Sequence, residues 1–508
     1  MLLIISGQYV ESELYAEFGK IPPAFLPLGN ERLYVHQIGQ LARSYGRVAL
    51  TVPSDFLLDE SDAATLAGLG VTVLRTGVGK SLGAAVQEGL ALTGVQGRID
   101  ILYGDTLVFE DELGGTDWIA VGGSDEFYPW HYDGETESGE AWAGMFSFSS
   151  ARALADILEQ TQDFIAGVTR YGTDYARLER RSLKRWLDFG HVHTYFHSRL
   201  AVTTQRHFNR LEIAGGVLTK SSDDSRKMRA EATWFETAPA AVRPFLPNYI
   251  GAESGGERYS IEYLPLTALN ELYVFGRLPV KVWKKVFAAC DRYLCAERSV
   301  AVPAPGGADM ADRIYRDKTL ARLDAFAAQS GTDIHKPWRF NGSELPSLRE
   351  MTRLAAAAVI AHASVPSFVH GDFCFSNILY DFRSDRVKLI DPRGVDVDGN
   401  ITAFGDFRYD VAKLSHSVLG LYDAIVAGRF CLDGGGHDIA FDVSSKGSHT
   451  IRQAFRSTSF AGRTPDDWDC QPIMVLLFLS MLPLHADKPL RQRALMANCM
   501  RLFQEWTA

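Results

Sequence analysis

Three polar residues in the second half of the chain have the types and the spacing that phosphoryl transfer needs. Asn377 follows Asp372 after five residues, and Asp391 ends the strand-like run VKLI. A carboxylate can accept the proton of an attacking hydroxyl, while amide and carboxylate oxygens suit Mg²⁺. The order and the spacing predict a catalytic base at Asp372 and a metal site at Asn377 and Asp391.

Two charged residues upstream lie on elements that could hold nucleotide phosphates. The stretch RHFNRLEIAGGVLTKSS predicts two strands around an Ala-Gly-Gly turn, with Lys220 at the end of the second strand. Glu231 follows eleven residues later on a predicted helix. A strand lysine paired with a helix glutamate can fix the phosphates of ATP. The alternative is a surface lysine and an unrelated surface glutamate.

Two carboxylates in the first half also follow strand-like runs. Asp105 ends the run ILYGD, and Asp188 follows an apolar pair in RWLDFGH. Mg²⁺ usually binds through one or two carboxylates together with substrate phosphates. Each aspartate alone reads as a turn residue, but the pair favours a second metal site.

The elements that position these residues alternate between strands and helices over the first 200 residues. This rhythm predicts an α/β fold with a mostly parallel sheet covered on both faces. Ligands on such sheets bind at the carboxyl ends of the strands. The predicted strands are Leu2–Ser6, Val48–Val52, Val71–Leu74, Ile99–Tyr103, Trp118–Val121 and Met145–Phe148, and the predicted helices are Leu33–Ser44, Ser61–Leu69, Leu82–Leu92 and Ala151–Gln160.

Length and composition limit the class of protein. A chain of 508 residues suggests two or three domains. A net charge of −10 argues against a nucleic-acid binder. Six scattered cysteines without a CxxC pair indicate reduced thiols and a cytoplasmic location. The apolar start MLLIISGQYV reads as a buried strand, and no run is long enough to span a membrane. A homo-oligomer is compatible with the sequence.

Several motifs in residues 1–195 resemble the sugar-phosphate nucleotidyltransferases. They are GKIPPAFLPLGNERLYVHQ, LYGDTLV, WAGMFSFS and WLDFGH, in the order that this family uses. The resemblance implies a Rossmann-like domain of the GT-A type that joins an NTP to a small phosphorylated substrate and releases pyrophosphate. It places Asp105 and Asp188 on the Mg²⁺ ion.

The phosphate-binding part of this first region departs from the family pattern. Only Gly7 remains of the glycine-rich loop, its arginine is absent, and Pro23 stands where the family has a lysine. Lys20 and Lys80 are the candidates to neutralise the phosphates instead. A degenerate domain that keeps a nucleotide-binding role is the alternative to a working transferase.

The motifs HGDFCFSN and VKLIDPRG resemble the aminoglycoside phosphotransferase and choline kinase family, over about residues 205–425. The resemblance implies an α+β bilobal, protein-kinase-like domain that uses ATP and Mg²⁺. The arginine that precedes the catalytic aspartate in protein kinases is absent, as it is in the small-molecule kinases of this family. A small alcohol is therefore the expected acceptor rather than a protein.

Together the two resemblances predict a bifunctional enzyme. We expect a nucleotidyltransferase-like domain over 1–200, a kinase N-lobe over 201–275 and a helical C-lobe over 276–508. The kinase would phosphorylate a sugar, polyol or amino alcohol with ATP, and the transferase would then use CTP, UTP or GTP. Such conjugates feed capsular and other surface polysaccharides or lipid head groups, which the resemblance alone suggests. The rivals are a kinase with a regulatory first domain, a drug-inactivating phosphotransferase and a non-enzymatic scaffold.

Other polar residues around these motifs favour structural roles. His370 is expected to hold its loop through hydrogen bonds rather than act as a base. Asp406 and Asp410 begin a predicted helix and would cap it or brace the loop. His191 and His193 alternate along the strand-like HVHTY, where a structural role is favoured over substrate contact.

The acceptor-binding residues are the least defined part of the sequence. Lys318, Arg322, Trp338 and Arg339 lie in the region expected to set specificity. They could bind an anionic or sugar substrate. A solvated amphipathic helix is the alternative interpretation.

Overall fold

Short apolar runs form the strands of the first half, because residues buried on both faces of a sheet are apolar without alternation. Leu2–Ile5, for example, is buried at every position. The computed structural model describes residues 1–109, 114–123, 131, 140–203, 205–206, 209–253, 255–302, 310–443 and 448–508. The strands of the first half are β1 (Leu2–Ile5), β2 (Pro27–Leu28), β3 (Glu31–Arg32), β4 (Val48–Pro53), β5 (Val71–Thr76), β6 (Ile99–Tyr103), β7 (Thr106–Val108), β8 (Trp118–Gly122), β9 (Ala141–Phe148), β10 (Glu179–Ser182) and β11 (Trp186–Asp188).

Seven of these strands form one sheet in the order β10–β8–β9–β6–β1–β4–β5. Four neighbouring pairs are parallel, and β9 alone runs antiparallel to both of its neighbours. The sheet is therefore mostly parallel, as the alternating pattern predicts. The carboxyl ends of β1, β4, β5 and β6 share one edge, and the separate antiparallel pair β7–β11 follows β6 in the chain.

Helices with amphipathic patterns connect these strands. They are α1 (Ser12–Phe18), α2 (Leu33–Leu41), α3 (Glu60–Gly68), α4 (Leu82–Thr93), α5 (Ala151–Thr161), α6 (Phe164–Asp174) and α7 (Val192–Thr203). The side chains of Ser81, Ser150 and Asp163 accept backbone hydrogen bonds at the starts of α4, α5 and α6. Leu154 and Phe164 from α5 and α6 join the apolar core beneath the sheet.

The prediction of a strand at HVHTY is wrong, because Val192–Thr203 forms helix α7. The carboxylate of Asp188 accepts hydrogen bonds from the Gly190 backbone N–H at 3.2 Å and from the Thr194 hydroxyl at 2.5 Å. These bonds join Asp188 to the turn before the helix and to the hydroxyl of a residue in its first turn, which alternation of apolar residues cannot reveal.

The second half contains a larger set of short strands. They are β12 (Gln205–Arg206), β13 (Asn209–Ala214), β14 (Val217–Ser221), β15 (Tyr249–Ala252), β16 (Arg258–Glu262), β17 (Thr267–Ala268), β18 (Trp338–Phe340), β19 (Ser343–Leu345), β20 (Pro366–Phe368), β21 (Ile378–Asp381), β22 (Arg386–Leu389), β23 (Phe404–Asp406), β24 (Phe430–Gly435) and β25 (Asp438–Val443). The first five form an antiparallel sheet in the order β12–β13–β14–β16–β15, and β17–β21–β22 form a second.

Helices make up most of the remainder of this half. They are α8 (Ser225–Thr237), α9 (Leu269–Val274), α10 (Val280–Arg298), α11 (Lys318–Ser330), α12 (Leu348–Ile360), α13 (Phe407–Val418), α14 (Tyr422–Val426), α15 (His449–Arg456), α16 (Cys470–Met481) and α17 (Pro489–Thr507). Helix α16 is apolar on nearly every side and packs against α11, α12, α13 and α17, so it forms the centre of the helical core.

The described chain divides into two compact units. The first comprises Met1–Thr203 and the short segment Phe275–Leu278, and the second comprises Thr204–Val274 and Pro279–Ala508. The first unit is an α/β sandwich around a mostly parallel sheet, and the second combines an antiparallel sheet with a helical region. The predicted fold class, an α/β domain followed by an α+β domain, is confirmed. Among the described residues, no helix has the length and apolarity needed to cross a membrane.

Candidate active sites

Lys220 and Glu231 form a buried ion pair in the second unit. Lys220 lies on strand β14, and Glu231 lies on α8, which packs against the same sheet. Lys220 Nζ donates to Glu231 Oε2 at 2.6 Å, and the two side chains are only 2% and 3% exposed. The Tyr259 hydroxyl donates to the same carboxylate oxygen at 2.7 Å. The lysine ammonium is therefore fixed both by geometry and by charge.

The ammonium of Lys220 also contacts a carboxylate far along the chain. Lys220 Nζ donates to Asp391 Oδ1 at 2.9 Å, across 171 residues of sequence. Burial lowers the pKa of Lys220, but the charges of Asp391 and Glu231 outweigh burial and raise it. The structure thus brings together three of the residues that the sequence singled out, with the lysine as a cation between two carboxylates.

Asp372 and Asn377 lie on one loop between β20 and β21. Asn377 Nδ2 donates to the main-chain oxygen and to carboxylate Oδ2 of Asp372, both at 2.9 Å. The backbone N–H of Ile390 donates to the carbonyl oxygen of Asn377 at 3.1 Å, and this bond joins the loop to the chain just before Asp391. The three residues of the downstream motif therefore converge on one place.

The oxygen atoms of Asn377 and Asp391 suit a hard divalent cation. Mg²⁺ prefers oxygen ligands and commonly binds through one or two protein groups plus substrate phosphates. Asp391 has a left-handed backbone with a φ of 56°, which is uncommon outside glycine and costs about 1 kcal/mol or more. Such a conformation is kept where surrounding contacts fix it, and the donor set fits a metal bound together with phosphates.

Lys413 is a site residue that the sequence reasoning missed. Lys413 Nζ lies 2.7 Å from Asp372 Oδ1. Burial raises the pKa of Asp372, but the charge and hydrogen bond of Lys413 outweigh it and hold the pKa below its usual range. Spacing along the chain gives no signal for this residue, because its partner Asp372 lies on a different element.

His370 and Asp410 hold the catalytic loop from behind. Asp410 on α13 accepts from the backbone N–H groups of His370 at 2.6 Å and Gly371 at 2.9 Å, and Asp406 caps the same helix. A ring nitrogen of His370 lies 3.1 Å from the carbonyl oxygen of Ile390. Burial lowers the pKa of His370 to about 4, so the ring is neutral at pH 7. The predicted hydrogen bonds of His370 and the predicted capping and bracing by Asp406 and Asp410 are present.

In the first unit, Asp105 and Asp188 meet across the antiparallel pair β7–β11. Asp188 is the partner of Thr106 in this pair, and the Phe189 backbone N–H donates to the carbonyl oxygen of Asp105 at 2.8 Å. Burial, followed by the charge of Asp188, raises the pKa of Asp105 to about 7. A buried carboxylate next to a second carboxylate makes a site that a cation would stabilise.

Gly190 leaves room beside these two carboxylates. A Cβ atom added at Gly190 would lie 2.7 Å from Asp105 Oδ2 and 3.4 Å from Asp188 Oδ1. The carboxylates therefore converge on a space that only glycine leaves open. His191 Nδ1 is 3.3 Å from Asp188 Oδ2, and although burial lowers the pKa of His191, its bond to Asp188 raises it overall. The oxygen-rich donor set fits Mg²⁺.

The two predicted phosphate-binding lysines have carboxylate partners of their own. Lys20 Nζ donates to Asp55 Oδ2 at 2.7 Å, and Lys80 Nζ lies 3.3 Å from Glu88 Oε2. Within the described ranges, neither lysine contacts the pair formed by Asp105 and Asp188. The structure thus brings the two carboxylates together but gives these lysines other neighbours, which the sequence did not reveal.

Comparisons with solved structures find two kinds of similar protein. A nucleoside-diphosphate-sugar pyrophosphorylase from Vibrio cholerae RC9 is 15% identical over 39% of this chain and 99% of that chain, with a TM-score of 0.33. A choline/ethanolamine kinase family protein from Mesorhizobium loti is 14% identical over 59% of this chain and 86% of that chain, with a TM-score of 0.36. APH(2″)-IIa, in a ternary complex with streptomycin and ATP, is 13% identical over 59% of this chain and 90% of that chain, with a TM-score of 0.36.

No protein-family model and no curated protein matches the sequence. These two kinds of structure, a nucleoside-diphosphate-sugar pyrophosphorylase and a choline/ethanolamine kinase family protein, match the two resemblances of the sequence.

Proposed function

We propose that the second unit transfers the γ-phosphoryl group of ATP to the hydroxyl of a small alcohol. The observation that carries this proposal is the contact of Lys220 with both Glu231 and Asp391, beside the loop that holds Asp372 and Asn377. A positioned lysine and a cluster of oxygen ligands neutralise phosphate charge, and most of the catalysis in phosphoryl transfer comes from such positioning.

Each residue has a distinct role in this reaction. Asp372 orients the acceptor hydroxyl and takes its proton, and Lys413 keeps that carboxylate ionised. Lys220 contacts the phosphates, and Glu231 holds Lys220 in place. Mg²⁺, bound through Asn377 and Asp391, would neutralise the phosphate charge.

For the first unit we propose nucleotidyl transfer to the phosphorylated product. The kinase reaction is R–OH + ATP → R–O–phosphate + ADP + H⁺, and the second is R–O–phosphate + NTP → NDP–R + pyrophosphate. The converging carboxylates of Asp105 and Asp188 support a metal site for the second reaction. The NTP would be CTP, UTP or GTP, and the conjugate would serve surface glycan or lipid head-group synthesis in the cytoplasm.

A second candidate is a kinase whose first unit binds nucleotide without turning it over. The ion pairs of Lys20 with Asp55 and of Lys80 with Glu88 favour it, because both candidate lysines already have counter-ions. In either case we propose a nucleotidyltransferase-like domain over 1–200, a kinase N-lobe over 201–275 and a C-lobe over 276–508.

The kinase proposal is tested with Asp372→Asn, which keeps the size of the side chain and removes its charge. ADP formation from ATP and a panel of small alcohols is expected to fall at least about a hundredfold. Asp467→Asn, an exposed carboxylate in a surface turn, is the matched control and should keep full activity. Equal turnover by wild type and Asp372→Asn would contradict the kinase assignment.

The transferase proposal is tested by pyrophosphate release. Protein with Mg²⁺ would be given each of CTP, UTP, GTP and ATP together with phosphorylated sugars, polyols and amino alcohols. Release with one pair of substrates, lost in Asp105→Ala, would support the transferase. If protein with kinase activity releases no pyrophosphate with any substrate of the panel, the result would favour a first unit that binds nucleotide without turning it over.

A further inference from the structure

Four cations lie near the half-buried side chain of Tyr409 in the second unit, and two of them approach its ring. Lys318 Nζ lies 5.5 Å from the ring centroid, and the Arg393 guanidinium carbon lies 6.0 Å from it. Lys413 is one helical turn beyond Tyr409 on α13, and Arg322 is one turn beyond Lys318 on α11. We call Lys318, Arg322, Arg393 and Lys413 the cationic cluster.

Among the residues that the structure describes, few carboxylates pair with this cluster. Lys413 pairs with Asp372, and Arg322 donates to a backbone carbonyl. In the part of the chain that the structure describes, neither Lys318 nor Arg393 forms an ion pair with a carboxylate. Half-buried cations without counter-ions are unfavourable, so the cluster is suited to bind an anion from outside the chain.

A cavity of about 370 Å³ adjoins both the cluster and the catalytic loop. Gly371, directly before Asp372, lines this cavity together with Arg393 and Tyr409. Its volume falls within the range of small-molecule sites. A ligand in the cavity would therefore lie beside the residue that precedes the proposed base and beside Arg393, the member of the cationic cluster that lines the cavity.

The carboxylates that line the cavity are already bonded within the protein. Asp398 pairs with Arg313, and Asp406 pairs with Arg408 at 2.8 Å. Asp396 accepts a hydrogen bond from the backbone N–H of Asp398 at 2.9 Å. Each of these carboxylates is held by donors of the protein, and Arg393 beside Tyr409 is the lining cation that has no carboxylate partner among the described residues.

The pKa of Tyr409 is lowered by the positive charge of the cationic cluster. Burial raises the pKa of the phenol, but the charges of Lys318, Arg393 and Lys413 outweigh burial and lower it to about 8. The pKa of Lys318 is lowered by burial and by the neighbouring cations Arg393, Arg322 and Lys413, although Tyr409 opposes them. An anion bound here would relieve the repulsion.

We infer that the acceptor alcohol carries an anionic group, a phosphate or a carboxylate, which Lys318, Arg322 and Arg393 bind while its hydroxyl meets Asp372. This inference rests on the proposed kinase function. The hydroxyl oxygen forms a bond to the γ-phosphorus, ADP leaves with the electron pair of the broken P–O bond, and Asp372 takes the hydroxyl proton. Guanidinium groups suit this role because their paired donors match carboxylate and phosphate oxygens.

The test measures equilibrium binding, so it does not depend on turnover. Isothermal titration would follow glycerol 3-phosphate, D-glycerate, glycerol and choline binding to the full chain, with and without AMP-PNP and Mg²⁺. Lys318→Met removes one cation of the cluster. Lys285→Met, an exposed lysine paired with Asp385, is the matched control.

At least one of the two anionic probes is expected to bind, and glycerol and choline are not. Lys318→Met should weaken anion binding at least tenfold and leave AMP-PNP affinity unchanged. Lys285→Met should leave both affinities unchanged. Preference for glycerol 3-phosphate or for D-glycerate would distinguish a phosphate from a carboxylate.

Three results would overturn the inference. The first is that neither anion binds to the wild-type protein. The second is that Lys318→Met binds the anion as tightly as wild type does. The third is that Lys318→Met loses affinity for AMP-PNP by the same factor as for the anion, which would assign the cluster to ATP. Failure of the kinase proposal is recognised separately, by wild-type protein that does not bind AMP-PNP with Mg²⁺ or by full turnover in Asp372→Asn.

Discussion

The protonation of Asp105 is expected to control metal binding in the first unit. Burial and the charge of Asp188 raise the pKa of Asp105 to about 7. A protonated carboxyl is a poor metal ligand, because ligands must lose their proton to bind. Metal affinity at this site should therefore rise as the pH rises through about 7.

The size of the effect follows from the ionised fraction of Asp105. With a pKa of about 7, roughly a tenth of the carboxyl is ionised at about pH 6 and roughly nine tenths at about pH 8. The apparent association constant for the metal should increase about tenfold over this interval. Folding responds with the opposite sign, because a carboxyl whose pKa is raised destabilises the folded state as the pH rises from about 4 to about 7. The cost is at most roughly 4 kcal/mol, and a bound cation offsets it.

The assay uses Mn²⁺ as a probe for the Mg²⁺ site, because paramagnetic resonance measures free Mn²⁺ directly. Wild type and Asp105→Asn would be titrated without nucleotide at about pH 6, 7 and 8. Asp391→Asn is the matched control, since it removes a carboxylate from the proposed metal site of the other unit. Wild type and Asp391→Asn should keep a site whose affinity rises about tenfold, and Asp105→Asn should lose it. The same pH-dependent site in Asp105→Asn would refute the assignment.

Three further predictions follow from single contacts. Lys220→Met removes the cation that lies 2.6 and 2.9 Å from two carboxylates and leaves both without it. We expect the free energy of unfolding of the second unit, measured by urea denaturation, to fall by about 3–5 kcal/mol. We also expect kcat/KM for ATP to fall at least about a hundredfold. Gly190→Ala places a Cβ atom 2.7 Å from Asp105 Oδ2 and should weaken Mn²⁺ binding several-fold, whereas Gly97→Ala, with open space around it, should not. Near-ultraviolet titration should show a tyrosine ionisation at about pH 8, and this transition should be absent from Tyr409→Phe. Because the pKa of Tyr409 is lower in the folded than in the unfolded state, it adds stability as the pH rises from about 8 towards about 10.

Much of the fold could be predicted from local pattern. Buried strands such as Ile99–Tyr103 were found with the right bounds, because a run of apolar residues between turn signals is a local feature. The helix that Asp406 begins was predicted for the same reason, since its cap lies in the adjoining sequence. Helix α7 was missed, because its start is stabilised by Asp188 on a preceding strand rather than by its own periodicity.

The candidate sites show the same division at longer range. The sequence paired Lys220 with Glu231 across eleven residues, but it gave no indication of the ion pairs that occupy Lys20 and Lys80. It also missed Lys413, whose partner Asp372 lies on a different element. Charge partners depend on which elements pack together, and spacing along the chain does not encode that.

By itself, the sequence determined the α/β and α+β elements and the local motif of Asp372 and Asn377, because five residues of loop constrain the relative positions of those side chains. Only the tertiary structure decided that Lys220 contacts Asp391 across 171 residues, and that separate helices and loops bring Lys318 and Arg393 around one tyrosine ring. Burial and electrostatic potential are sums over neighbours in space, so they exist only once the chain has packed.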